Sequence, residues 1–134
     1  MVRNKYFVVE ENALFTSQDG NFAKTSPLLQ CVGLFVYDGM QKQGVLAHWA
    51  SNSIVQPLKS KLDLIRLRNP EAVMVGCGVV AECPFEDSYI PMEVTDFLTK
   101  ERILIRVERV GLDCATELRV NFLNGTYRVR KVTI

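Results

Sequence analysis

Two stretches of this chain are apolar at nearly every position rather than at alternate ones: Val32-Gly33-Leu34-Phe35-Val36-Tyr37 and Ala72-Val73-Met74-Val75-Gly76-Cys77-Gly78-Val79-Val80. A strand that is apolar on both faces has to be covered on both faces, so these runs demand a sheet with layers above and below it. Asp38-Gly39 closes the first run, and Gly44-Val45-Leu46-Ala47-His48-Trp49 reads as its antiparallel return strand. The expected strands cover residues 28–37, 44–49 and 72–80, and the two glycines of the last suggest a bulge or a close backbone approach.

The remaining elements are readable as well. Ser51-Asn52-Ser53 supplies N-cap side chains for a helix whose apolar positions Ile54, Leu58, Leu62 and Ile65 recur at three- and four-residue spacing. Pro57 fits only a first turn, so the regular helix starts between those caps and, at the latest, Pro57 itself. Pro91 opens a second helix that buries Val94, Phe97 and Leu98. Residues 103–110 alternate as a strand with one wetter face, and 6–9 and 13–15 are a first hairpin or two edge strands. Gln18-Asp19-Gly20-Asn21 is a turn. Residues 117–122 and 127–132 alternate around Asn124-Gly125, a dipeptide suited to the positive φ angles of a type I′ hairpin turn. The fold class is therefore mixed α/β (α+β): a layered sandwich of mixed and antiparallel sheets with helices on one face.

At 134 residues, without repeat, linker or low-complexity tract, residues 1–134 form one domain. Sixteen basic residues against fifteen acidic ones leave a formal charge of +1, which gives no footprint for nucleic acid or an anionic membrane. No apolar run approaches the roughly 20 residues of a bilayer span, and no signal-type segment follows Met1. The expectation is a cytoplasmic protein without membrane insertion; a secreted effector is also compatible. Cys31, Cys77, Cys83 and Cys114 are then thiols rather than disulfides. With one histidine and no tight cysteine cluster, no metal site and no cofactor are expected.

Cys31 stands at the start of one expected strand and His48, the sole histidine, near the end of its antiparallel partner, so pairing brings thiol and imidazole to the same end of the sheet. A thiol beside an imidazole is the minimal constellation for nucleophilic cysteine chemistry. Taken singly, each residue has a plainer role: Cys31 as a small buried hydrophobe, His48 as a hydrogen-bonded core or rim residue, Thr25 as the cap of a turn. Trp49 and Tyr37 line a cleft or fill the core.

The stretch Thr25-Ser26-Pro27-Leu28-Leu29-Gln30-Cys31, the strand run ending in Asp38, and Gly44-Val45-Leu46-Ala47-His48 together resemble the CheD family of chemoreceptor glutamine deamidases. That family places a threonine six residues before its cysteine, as Thr25 stands to Cys31, and a Gly-x-x-Ala-His element seventeen residues on, as at His48. The closing segment Asn124-Gly125-Thr126-Tyr127-Arg128-Val129 is similar to the family's last hairpin, and Gly76-Cys77-Gly78 falls at its glycine-rich strand end. The resemblance implies a CheD-like fold and a protein-glutamine deamidase in chemotaxis, an amidohydrolase without cofactor. Cys31 is then the nucleophile, His48 the base and Thr25 the residue orienting the ring. Gln30, Gly76, Gly78 and Trp49 surround the substrate and the oxyanion, and the partner is a protein carrying a glutamine or asparagine side chain. Toxins related to cytotoxic necrotising factor share the Cys-His arrangement. Where the family has Gly-Ser before the cysteine, this chain has Pro27-Leu28-Leu29-Gln30, and Leu112-Asp113-Cys114-Ala115-Thr116 replaces a glycine-rich loop; a catalytically silent binding module is the alternative.

Overall fold

The computed structural model describes residues 5–28, 31–49, 55–65, 67–76, 89–108 and 115–132. In chain order the elements are β1 Phe7–Val9, β2 Ala13–Thr16, β3 Phe22–Thr25, β4 Val32–Asp38, β5 Gln43–Trp49, α1 Val55–Ile65, β6 Glu71–Gly76, α2 Tyr89–Lys100, β7 Leu104–Glu108, β8 Ala115–Asn121 and β9 Thr126–Val132. They form a mixed α/β structure of two sheets. The larger runs β2-β5-β4-β6-β7 and the smaller β1-β3-β8-β9. Each is antiparallel except for one parallel pair, β6 with β7 and β1 with β3. Parallel neighbours need a long crossover. For β6 and β7 the connection contains α2; for β1 and β3 it passes through β2 in the other sheet.

The doubly apolar run behaves as its composition requires. Val32, Leu34 and Val36 of β4 share one face with Val45, Ala47 and Trp49 of β5, and there they pack against Leu58 and Ile65 of α1 and Val94 and Leu98 of α2. Phe35 and Leu46 lie on the opposite face and meet Val9, Ala23, Leu118, Val120 and Phe122 around the smaller sheet. The order of layers is helices, larger sheet, smaller sheet, and β4 at the centre of the larger sheet is apolar on both sides because both sides are covered. Neither described helix is long and apolar enough to cross a membrane.

Several expectations change in detail. Of the two readings of residues 6–9 and 13–15, the edge strands hold and the hairpin does not: β1 and β2 are edges of different sheets, because the turn between them carries the chain from one layer to the other. A strand at Phe22–Thr25, unexpected in so polar a stretch, is held by the alternate burial of Ala23 and Thr25. Helix α1 begins two residues ahead of Pro57, which keeps the proline within the first turn. Of the expected strand at 28–37, β4 takes Val32 onward, Cys31 precedes it, and Leu28 forms an isolated antiparallel bridge to Thr116; of that at 72–80 the described part lies in β6, and residues 29, 30 and 77–80 lie outside the described residues.

The terminal hairpin forms, but with a four-residue loop rather than a type I′ turn. Asn121 pairs with Thr126, the Gly125 N–H donates to the Asn121 carbonyl at 2.8 Å, and Gly125 has a φ of 75°. A Cβ at Gly125 would overlap the Tyr37 ring, whose hydroxyl donates to the Phe122 carbonyl at 2.6 Å. The β4–β5 loop has the same form. Asp38 pairs with Gln43, the Lys42 N–H donates to the Asp38 carbonyl at 2.8 Å, and Lys42 occupies the left-handed position with a φ of 55°. A side chain there costs about 1 kcal/mol relative to glycine. Lys42→Gly is therefore expected to raise the urea midpoint by the equivalent of about 0.5–1 kcal/mol with an unchanged denaturant slope.

Candidate functional site

Residue parity in the two central strands places the site. Gly33 pairs with His48 across β4 and β5, so His48 shares the face of Gly33, Phe35 and Leu46 and looks toward the smaller sheet. Cys31, two residues before Gly33, packs against the same cluster at the mouth of β4. Thiol and ring are thus diagonal neighbours on one face, a relation that puts Cβ atoms about 7–8 Å apart. Between them lies a residue without a side chain. The thiol is half-buried and donates to Glu11 Oε1 at 3.7 Å, from the turn that joins β1 to β2.

His48 is 1% exposed and its protonation pattern is dictated by its neighbours. Nδ1 lies 2.9 Å from the Val9 carbonyl and 3.3 Å from Ser26 Oγ. A carbonyl can only accept, so Nδ1 carries the proton and donates to Val9, and in the neutral ring the lone pair is on Nε2. Nε2 is buried and has no hydrogen-bond partner. An unmade hydrogen bond on a buried polar atom costs about 1–3 kcal/mol, and such atoms in a folded protein call for a reason. Two further buried polar atoms among the described residues lack a partner: Thr116 Oγ1 at the start of β8 and Trp49 Nε1 in the helix-side core.

Thr25 is wholly buried near this ring but does not orient it. Its Oγ1 accepts the Leu118 N–H at 3.1 Å, and its methyl lies 3.4 Å from where a Cβ on Gly33 would sit. The hydroxyl at Nδ1 belongs to Ser26, the next residue, which the end of β3 turns toward the ring. Trp49 is also displaced from its expected role: adjacent strand residues point to opposite faces, so Trp49 is sealed in the helix-side core, 0% exposed. Gly76 ends β6 opposite Val32, beside the strand that carries the thiol. Gln30 and Gly78 lie outside the described residues.

Glu11, Ser26 and the Val9 carbonyl are the participants that sequence reasoning missed. Glu10-Glu11-Asn12 reads as a polar separator, and only the positive φ of 63° at Asn12 gives the turn its shape. A cleft of about 370 Å3 bordered by Phe35, Tyr37, Glu71 and Tyr127 lies at the far end of β4 and is not part of this site. No family model matches the chain, and no curated protein matches it.

Proposed function

We propose that the chain is a cysteine amidohydrolase of CheD-like type that converts a protein side-chain carboxamide to a carboxylate. The observation that carries this reading is the buried, unpartnered Nε2 of His48, fixed as a proton acceptor by the Nδ1–H bond to Val9, on the same sheet face as the Cys31 thiol. In the reaction, Nε2 takes the thiol proton and the Cys31 thiolate adds to the carboxamide carbon. The imidazolium returns that proton to the amide nitrogen, ammonia departs and a thioester remains. Water, deprotonated by Nε2, then adds to the thioester carbonyl, the C–S bond breaks, and the thiol is regenerated with the carboxylic acid as product. In this reading backbone N–H groups at Cys31 and a neighbouring loop hold the oxyanion, a contribution typically worth about 3–4 kcal/mol. The substrate is a protein glutamine or asparagine, in keeping with the resemblance; the replacements at Pro27-Leu28-Leu29-Gln30 and before Thr116 argue for a target other than a chemoreceptor. The test is ammonia release from an N-blocked Gln-Gly peptide and from an unfolded glutamine-rich protein. Wild type releases ammonia and Cys31→Ala does not; equal release from both ends the proposal.

One contact favours the alternative of a catalytically silent binding module. The Cys31 thiol donates to Glu11 rather than to His48, and a carboxylate at 3.7 Å opposes formation of a thiolate by like-charge repulsion. If the site is active, Glu11→Gln is expected to increase the rate of Cys31 alkylation at neutral pH by about fivefold, read by peptide mass spectrometry. In a silent module the same change relieves the same repulsion, and the two readings separate on His48→Asn, which slows Cys31 alkylation only where the ring takes the thiol proton.

A further inference from the structure

The outer face of the smaller sheet, turned away from the His48 site, sets cations opposite one another in register. Lys24 of β3 pairs with Arg119 of β8, and Arg119 pairs with Arg128 of β9, so three cations stand in a row across three adjacent strands. Like charges directly opposite one another on a sheet are destabilising. One carboxylate compensates: Glu117 meets Arg119 Nε at 2.9 Å, Lys24 Nζ at 3.4 Å and Arg130 Nε at 3.7 Å. Among the described residues no carboxylate pairs with Arg128, which is exposed. Arg119 is held in place, its guanidinium 5.1 Å above the Tyr6 ring and its Nε tied to Glu117.

The two arginines border a pocket of about 280 Å3 with Tyr6, Phe22, Asn121 and Thr126. Asn121 Oδ1 accepts the Leu123 N–H at 2.9 Å, which turns the identity of its other terminal atom to a donating amide. Arg119, Arg128, Asn121 and Tyr6 thus border one small space. We propose that this pocket binds a phosphate-class oxyanion, a multiply charged group with enough acceptor oxygens to bridge Arg119 and Arg128; a single carboxylate would occupy only one fork. The group is either free or carried on a phosphorylated side chain, and this site does not depend on the cysteine chemistry.

The test uses the full chain in thermal unfolding and calorimetric titration. The probes are inorganic pyrophosphate and a phosphoserine tripeptide, each against sodium chloride of equal ionic strength. Wild type is expected to melt higher with one or both probes, the tighter of the two identifying the source. Arg128→Gln is expected to weaken binding by roughly tenfold to a hundredfold while melting no lower than wild type in probe-free buffer, because it removes a like-charge contact. No rise beyond the chloride control, a rise retained in Arg128→Gln, or equal binding of a glutamate tripeptide would overturn the proposal.

Discussion

His48→Asn is expected to lower ammonia release by about a thousandfold while the protein stays folded. Asparagine places an amide nitrogen near the position of Nδ1, so the bond to the Val9 carbonyl, 2.9 Å in the native protein, is retained. What disappears is Nε2, the buried ring nitrogen that takes the thiol proton in the proposed reaction. A purely structural histidine would give the opposite pattern, with activity intact and stability following the Val9 bond. Ammonia release and the urea midpoint measured on the same preparation separate the two roles.

Asp38→Ala is expected to cost about 3–5 kcal/mol of stability, the largest single loss outside the apolar core. Asp38 is fully buried at the end of β4, and its carboxylate accepts four backbone N–H groups. Oδ1 accepts from Met40 at 3.0 Å and Gln41 at 3.3 Å; Oδ2 accepts from Arg68 at 2.8 Å and Asn69 at 3.1 Å. One side chain therefore pins the β4–β5 loop to the connection leading into β6. Burial pushes this carboxyl up, but the four N–H bonds together outweigh it and hold it below its ordinary value of 3.8. Because the folded value lies below the unfolded one, the stabilisation is complete above about pH 5 and is lost as pH falls through the folded value. The gap between wild type and Asp38→Ala, from urea unfolding at pH 7 and at successively lower pH, should narrow only below about pH 4. A gap that stays constant down to pH 2 would show that the carboxylate charge is not what holds the loops.

The central layer was legible because its signal is collective. Apolar residues at consecutive positions from Val32 to Val36 admit few environments, and the return strand with Leu46 and Ala47 follows from the same pattern. The pairing of Gly33 with His48 then follows from hairpin geometry, which is why thiol and imidazole were expected on adjacent strand ends. What was not legible depends on single dihedrals and on contacts between the sheets. The four-residue loop at Gly125 has one left-handed residue where Asn124-Gly125 suggests two. Whether Thr25 or Ser26 meets the ring is decided by where β3 ends, and the Leu118 N–H that claims the Thr25 hydroxyl comes from a strand far along the chain. The position of Trp49 is a different matter. Strand alternation alone sets it on the face opposite His48, so that error was avoidable from sequence.

The pH dependence of Cys31 alkylation by iodoacetamide, followed at the Cys31 peptide by mass spectrometry, decides most directly whether thiol and imidazole act as a unit. In wild type, with a cooperating ring, alkylation should continue well below the roughly pH 8.5 at which an ordinary thiol titrates, and His48→Asn should remove that acidic limb. A single titration near that ordinary value, unchanged by His48→Asn, would contradict the partnership and leave His48 as a tie between the two sheets.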